Sequence, residues 1–140
     1  MTATVCKKYI LLAEDNLADA FLVQQALEEH DLDYDLRVLS DGEEALAFID
    51  QMEKDSTHPC PELFLLDLHL PKYDGDSILE RLRTSKRCGD TPVILLSSSD
   101  APRDRTKAQM QAVVQYFRKP ADLTEFMKLG KVIKTFFSGA

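Results

Sequence analysis

The sequence predicts an α/β fold, a doubly wound (βα)5 unit with a parallel five-stranded sheet. Three observations carry that expectation. Five short β-rich runs recur along the chain, longer segments with helical apolar spacing separate them, and four of the five runs are nearly unbroken apolar stretches. Strands covered on both faces read that way, and right-handed crossovers through helices force such strands parallel.

The first run is Tyr9-Ile10-Leu11-Leu12, followed by a helix predicted over 17–30 with Leu22, Val23, Ala26 and Leu27 on one face and Asn16 as cap. Leu36-Arg37-Val38-Leu39 is the second strand. A helix over 42–52 follows, capped by Asp41, with Ala45, Leu46, Phe48, Ile49 and Met52 as its stripe. Leu63-Phe64-Leu65-Leu66 leads to a helix over 76–86 bearing Ile78, Leu79 and Leu82, which stops near Gly89. Val93-Ile94-Leu95-Leu96 precedes the least amphipathic segment, 102–111, where Pro102 suits a first helical position. Val113-Val114-Gln115-Tyr116-Phe117 is the last strand. Asp122 caps a final helix carrying Leu123, Phe126, Met127, Leu129, Val132, Ile133, Phe136 and Phe137, with Gly130 inside it at a cost of about 1 kcal/mol relative to Ala. Phe136 and Phe137 either pack on the sheet or contribute to a dimer face.

The 140 residues suit one domain, 1–140, with no output domain after the final helix. With 17 basic and 24 acidic residues the net charge is −7, which disfavours a nucleic-acid or anionic-membrane surface. No apolar run approaches the roughly 20 residues of a bilayer span, and the N-terminus lacks a signal peptide's apolar region. Cys6, Cys60 and Cys88 are odd in number and form no C-x-x-C pair. The expectation is a cytoplasmic protein with reduced, packing thiols.

In an open parallel sheet, ligands bind beyond the carboxyl ends of the strands. Here those ends carry Glu14-Asp15-Asn16, Asp67, Ser97-Ser98-Ser99 and Arg118-Lys119-Pro120. Each group alone reads blandly, as a loop acid, a turn or a surface lysine. Asp67 is the exception, because it interrupts an apolar run where an unpaired carboxylate would cost several kcal/mol. Brought to one rim, Glu14, Asp15 and Asp67 would repel one another unless a hard cation such as Mg²⁺ lay between them. Lys119 adds a point charge for an anion and Ser97 a hydroxyl donor. Together they describe phosphoryl transfer onto a carboxylate.

These residues resemble the receiver domain of two-component response regulators, a CheY-like family with a flavodoxin-like fold. The resemblance rests on Glu14-Asp15-Asn16, Asp67, Leu70-Pro71-Lys72-Tyr73-Asp74-Gly75, Ser97, and Tyr116-Phe117-Arg118-Lys119-Pro120, and it spans essentially the whole chain. It implies that Asp67 is the phosphoacceptor and that Glu14, Asp15, Asp67 and the His69 main-chain carbonyl surround Mg²⁺. It also implies that Ser97 and Lys119 contact the phosphoryl group, that Tyr116 is an aromatic switch, and that Lys119-Pro120 is a cis peptide. Tyr73 stands where an apolar residue is commoner. His69 and Ser99 occupy positions that tune dephosphorylation in the family.

The implied partners are a sensor histidine kinase or histidine phosphotransfer protein, a downstream protein, or a second copy of the chain. The long 53–61 stretch and Ala18-Asp19 resemble stand-alone receivers paired with phytochrome-type kinases. In such a switch the phosphoryl group draws Ser97 inward, Tyr116 follows, and the face of the fourth helix, fifth strand and fifth helix changes shape. Three rivals are weaker. A haloacid-dehalogenase-type phosphohydrolase needs a second carboxylate where His69 stands, and a flavodoxin-like carrier needs a phosphate loop where Glu14-Asp15 stand. A pseudo-receiver scaffold would have lost part of the acidic set. On this reading the protein is a phosphoacceptor switch, not an enzyme beyond its own phosphorylation and dephosphorylation.

Overall fold

Strand side chains alternate between the two faces of a sheet, and in this protein that alternation divides the core in two. In a computed structural model, which describes residues 8–30, 32–98 and 113–138, the parallel sheet has the order β2-β1-β3-β4-β5. Its strands are β1 (Lys8–Ala13), β2 (Tyr34–Leu39), β3 (Leu63–Asp67), β4 (Val93–Ser97) and β5 (Gln115–Arg118). Leu11, Ala13, Phe64, Leu66, Val93 and Leu95 face one cluster, completed by α2 (Gly42–Lys54) and α3 (Gly75–Arg83). Ile10, Leu12, Leu63, Leu65, Ile94 and Leu96 face the other, completed by α1 (Leu17–Glu29), α4 (Leu123–Phe126) and α5 (Lys128–Ser138). The central strands β3 and β4 are buried throughout, whereas the edge strands β2 and β5 are only partly covered.

The register brings the functional ends together. Ala13 lies beside Leu39 and Leu66, Asp67 beside Leu96, and Ser97 beside Arg118. The chain therefore leaves β1, β3, β4 and β5 at one rim.

The three predicted caps form. Asn16 Oδ1 accepts from the Ala18 and Asp19 amides, Asp41 Oδ1 from Glu44, and Asp122 Oδ1 from Thr124 and Glu125. A fourth, Asp74, caps α3 by accepting from Ser77. Some boundaries differ from those the sequence predicts. The third helix ends at Arg83: the Thr84 and Ser85 amides still reach back to carbonyls of the last turn, and the Lys86 and Arg87 amides then turn to Glu53, at 3.1 and 3.4 Å. The last strand begins at Gln115, leaving Val114 half-exposed. The final helix is two pieces, interrupted at Met127. The helix expected over 102–111, together with Cys6 and Ser99, lies outside the described residues.

Two expectations are corrected. Cys60 and Cys88 form a disulfide rather than standing as separate thiols. They enter β3 and β4, neighbours in the sheet, and their Cα atoms lie 5.6 Å apart, within bridging range. A spacing of 28 residues conceals that proximity in the sequence. The Lys119–Pro120 peptide is trans, as every described peptide bond is. Trans is the lower-energy isomer of an X-Pro bond by about 0.5–1 kcal/mol, and Lys119 reaches the rim without the cis form. Phe136 and Phe137 stack edge to face and pack against the second cluster, with the Lys8 ammonium over the Phe137 ring.

Candidate functional site

Each strand end delivers its side chain to the rim through a local constraint. Glu14 follows β1 and is 1% exposed, with its amide on the Leu39 carbonyl at 2.9 Å. Asp15 is exposed beside it, and Asn16 starts α1. Asp67 ends β3 at 5% exposure, its Oδ1 accepting the His69 N–H at 2.9 Å. Gly75 returns the chain past β3. A Cβ there would lie 2.6 Å from Leu68 Cα and 2.8 Å from the Asp67 carbonyl oxygen, so only glycine permits the approach. Lys72 turns this same loop in the left-handed region at φ 72° and pairs with Asp41 and Glu43. Ser97 is fully buried at the end of β4, and its carbonyl accepts the Lys119 N–H at 2.7 Å.

The Lys119 ammonium is the centre of the arrangement. It donates to Glu14 Oε1 at 2.5 Å, to Asp67 Oδ2 at 2.9 Å and to Asp19 Oδ2 at 3.1 Å. Glu14, Asp15 and Asp67 also bring three carboxylate oxygens within 4.8 Å of one another. Hard oxygen donors this close suit a divalent cation. Burial pushes the Glu14 carboxyl up to about 8, and its hydrogen bond to Asp67 adds to the shift against the pull of Lys119. Asp67 is also buried, yet hydrogen bonds to Glu14, the His69 amide and Lys119 hold it below the ordinary carboxylate range. Burial would lower Lys119 as well, but Glu14 and Asp67 outweigh it and keep the ammonium charged. One positive charge stands against the carboxyls of Glu14, Asp19 and Asp67, and that excess of acidic groups favours a cation.

A family model for the response regulator receiver domain matches residues 10–130. The chain belongs to that family. This receiver is 35% identical over 130 residues to response regulator Rcp1 of Synechocystis sp., covering 93% of this chain and 88% of Rcp1. Among solved structures it resembles the Mn²⁺-bound form of Rcp1, with a TM-score of 0.82, 35% identity, and coverage of 93% and 94% of the two chains. It also resembles the phosphorylated cyanobacterial phytochrome response regulator RcpA, with a TM-score of 0.86, 34% identity, and coverage of 96% and 97%.

The predicted residues of this receiver divide into two groups. Glu14, Asp15, Asp67 and Lys119 converge, with Ser97 tied to Lys119 through the backbone. Tyr116 lies farther down β5, opposite Leu95, half-buried against the first cluster. Asp19 was missed by the sequence reading. The available signal was its spacing, four residues after Asp15 and one turn into a helix that starts at the rim.

Proposed function

We propose that this receiver accepts a phosphoryl group on Asp67 from a histidine-phosphorylated partner, a sensor histidine kinase or a histidine phosphotransfer protein. The observation that carries this reading is Asp67 itself, a buried carboxyl at a sheet rim that accepts from the His69 amide and pairs with the Lys119 ammonium. An Asp67 oxygen attacks phosphorus, the bond from phosphorus to the donor imidazole breaks, and its electron pair stays with the imidazole. Lys119 turns an N–H from Asp67 to the phosphoryl oxygens, and the Ser97 hydroxyl donates to another. Glu14, Asp15, Asp67 and the His69 carbonyl would hold Mg²⁺, which supplies neutralisation of the transferring group's charge. The Mn²⁺-bound Rcp1 structure supports a divalent cation here.

No helix among the described residues is long and apolar enough to cross a membrane. Similarity to Rcp1, 88% of whose length is matched, supports a stand-alone regulator, for which a cytoplasmic setting is part of the same proposal. Similarity to Rcp1 and RcpA supports a phytochrome-type kinase as the phosphodonor. Leu17, Phe21 and Leu123 expose 79%, 56% and 60% of their surface on α1 and α4, apolar surface open to a protein donor. The output is a changed surface around Tyr116, read by a protein partner or a second copy. Against a phosphohydrolase stands His69, which leaves no carboxylate two residues beyond Asp67.

The test is Asp67→Asn. The amide keeps the shape and lessens repulsion, so thermal stability holds or rises while labelling by radioactive acetyl phosphate disappears. Labelling of the variant at the wild-type level would remove Asp67 from its role. In the same assay Tyr116→Ala keeps its labelling and weakens phosphorylation-dependent association.

A further inference from the structure

Building on the phosphoacceptor reading, we infer that Asp19 is a positioning residue. It anchors the Lys119 ammonium at the rim while the other partners of that ammonium are taken up by cation and phosphoryl group. An ammonium has three N–H donors. Here they go to three different carboxylates, those of Glu14, Asp67 and Asp19. Glu14 and Asp67 also belong to the trio of oxygens gathered for a cation, whereas Asp19 does not. The two demands conflict. A cation draws on the oxygens of Glu14 and Asp67, and the phosphoryl oxygens need one of the N–H groups that those carboxylates now occupy. Asp19 is the one partner that Lys119 can keep throughout.

The local structure suits an anchor. Asp19 is in the first turn of α1, with its own amide fixed by the Asn16 cap at 3.2 Å. Its side chain is 26% exposed, against 7% for Asp67 and 0% for Glu14, so it is the most solvent-exposed of the three partners of the ammonium. A carboxylate there opposes collapse of the ammonium onto Glu14 and Asp67. Without it, Lys119 would sit deeper and meet the phosphoryl oxygens later in the transfer. An acidic residue in a first helical turn also stabilises the helix dipole, and that role would not depend on Lys119.

The experiment is a double-mutant cycle on the full chain with Asp19→Asn and Lys119→Ala, read by acetyl phosphate labelling at saturating Mg²⁺. Lysine ammonium ¹H–¹⁵N NMR of the metal-free protein supplies a second readout. Asp19→Asn should slow labelling about tenfold when Lys119 is present and change it by less than about twofold in the Lys119→Ala background. The slowly exchanging Lys119 ammonium signal should broaden in Asp19→Asn, and Asp19→Glu should restore part of both effects. Equal slowing in both backgrounds would overturn the inference, since Asp19 would then act through its field or its helix. Unchanged labelling with an unchanged ammonium signal would overturn it too. Failure of the underlying reading looks different: the wild type would fail to label, or Asp67→Asn would label as well as the wild type.

Discussion

Glu14 and Asp67 lie side by side at the rim, and the titration of Glu14 links folding to the cation. The Glu14 carboxyl is raised from 4.5 to about 8, chiefly by burial and by Asp67. Between those values the folded chain binds a proton that the unfolded chain releases. The resulting stabilisation is full below about 4.5 and is lost as pH rises through about 8. Asp67 works in the opposite sense: lowered in the fold, it contributes stability above its unfolded value and loses it on acidification. A cation entering the trio must displace the Glu14 proton. Mg²⁺ binding at pH 6.5 should therefore release a proton, tighten as pH approaches 8, and level off above it. Calorimetric titration in buffers of different ionisation enthalpy measures this. Binding without proton release, or the same pH dependence in Glu14→Gln, would show that Glu14 does not carry the proton. The positions of Glu14, Asp15 and Asp67 were legible because strand ends in a parallel sheet share a rim. Which carboxylate holds the proton was not, since it depends on burial and on a lysine 105 residues away.

At the scale of elements, local signals were readable and tertiary ones were not. Asn16, Asp41 and Asp122 cap helices through amides two or three residues on, a range that the sequence displays directly. Past the last turn of α3 the Lys86 and Arg87 amides turn to Glu53, more than 30 residues away, a partner that periodicity alone does not reveal. Gly130 shows the same limit. By propensity it is a defect of about 1 kcal/mol in the final helix. In the fold it lets α5 lie against α1, where a Cβ would press into the Ala26 carbonyl oxygen and the His30 ring. Gly130→Ala should therefore destabilise the protein despite the better propensity. The clash falls on backbone, which cannot swing aside as a side chain does. Overpacking costs typically 1–3 kcal/mol, so a net loss of about 1–2 kcal/mol is expected in urea unfolding. A stability gain would mean that the two helices separate freely.

At the scale of the whole molecule, the sheet has a functional end and a fastened end. β3 and β4 run from Cys60 and Cys88 at one end to Asp67 and Ser97 at the other. The fastened end is held twice. Besides the disulfide, Glu53 at the end of α2 accepts from the Ser85 hydroxyl and from the Lys86 and Arg87 amides. The Arg87 guanidinium in turn donates to the Met52 carbonyl at 2.5 Å and the Asp55 carbonyl at 3.1 Å, closing the C-terminus of α2. These bonds do not involve the two sulfurs, so they should hold the loops when the disulfide is reduced. Closing a loop of 28 residues restricts the unfolded chain by about 3–4 kcal/mol in the chain-entropy account. Reduction, or Cys60→Ser, should thus lower the unfolding midpoint by roughly 10 °C for a chain of this size while the fold persists. Asp67 labelling by acetyl phosphate should change by less than about twofold, because the five residues of β3 separate the two ends by roughly 17 Å. A large loss of labelling on reduction, at a temperature where circular dichroism shows the chain still folded, would mean that the fastened end is coupled to the rim through β3 and β4.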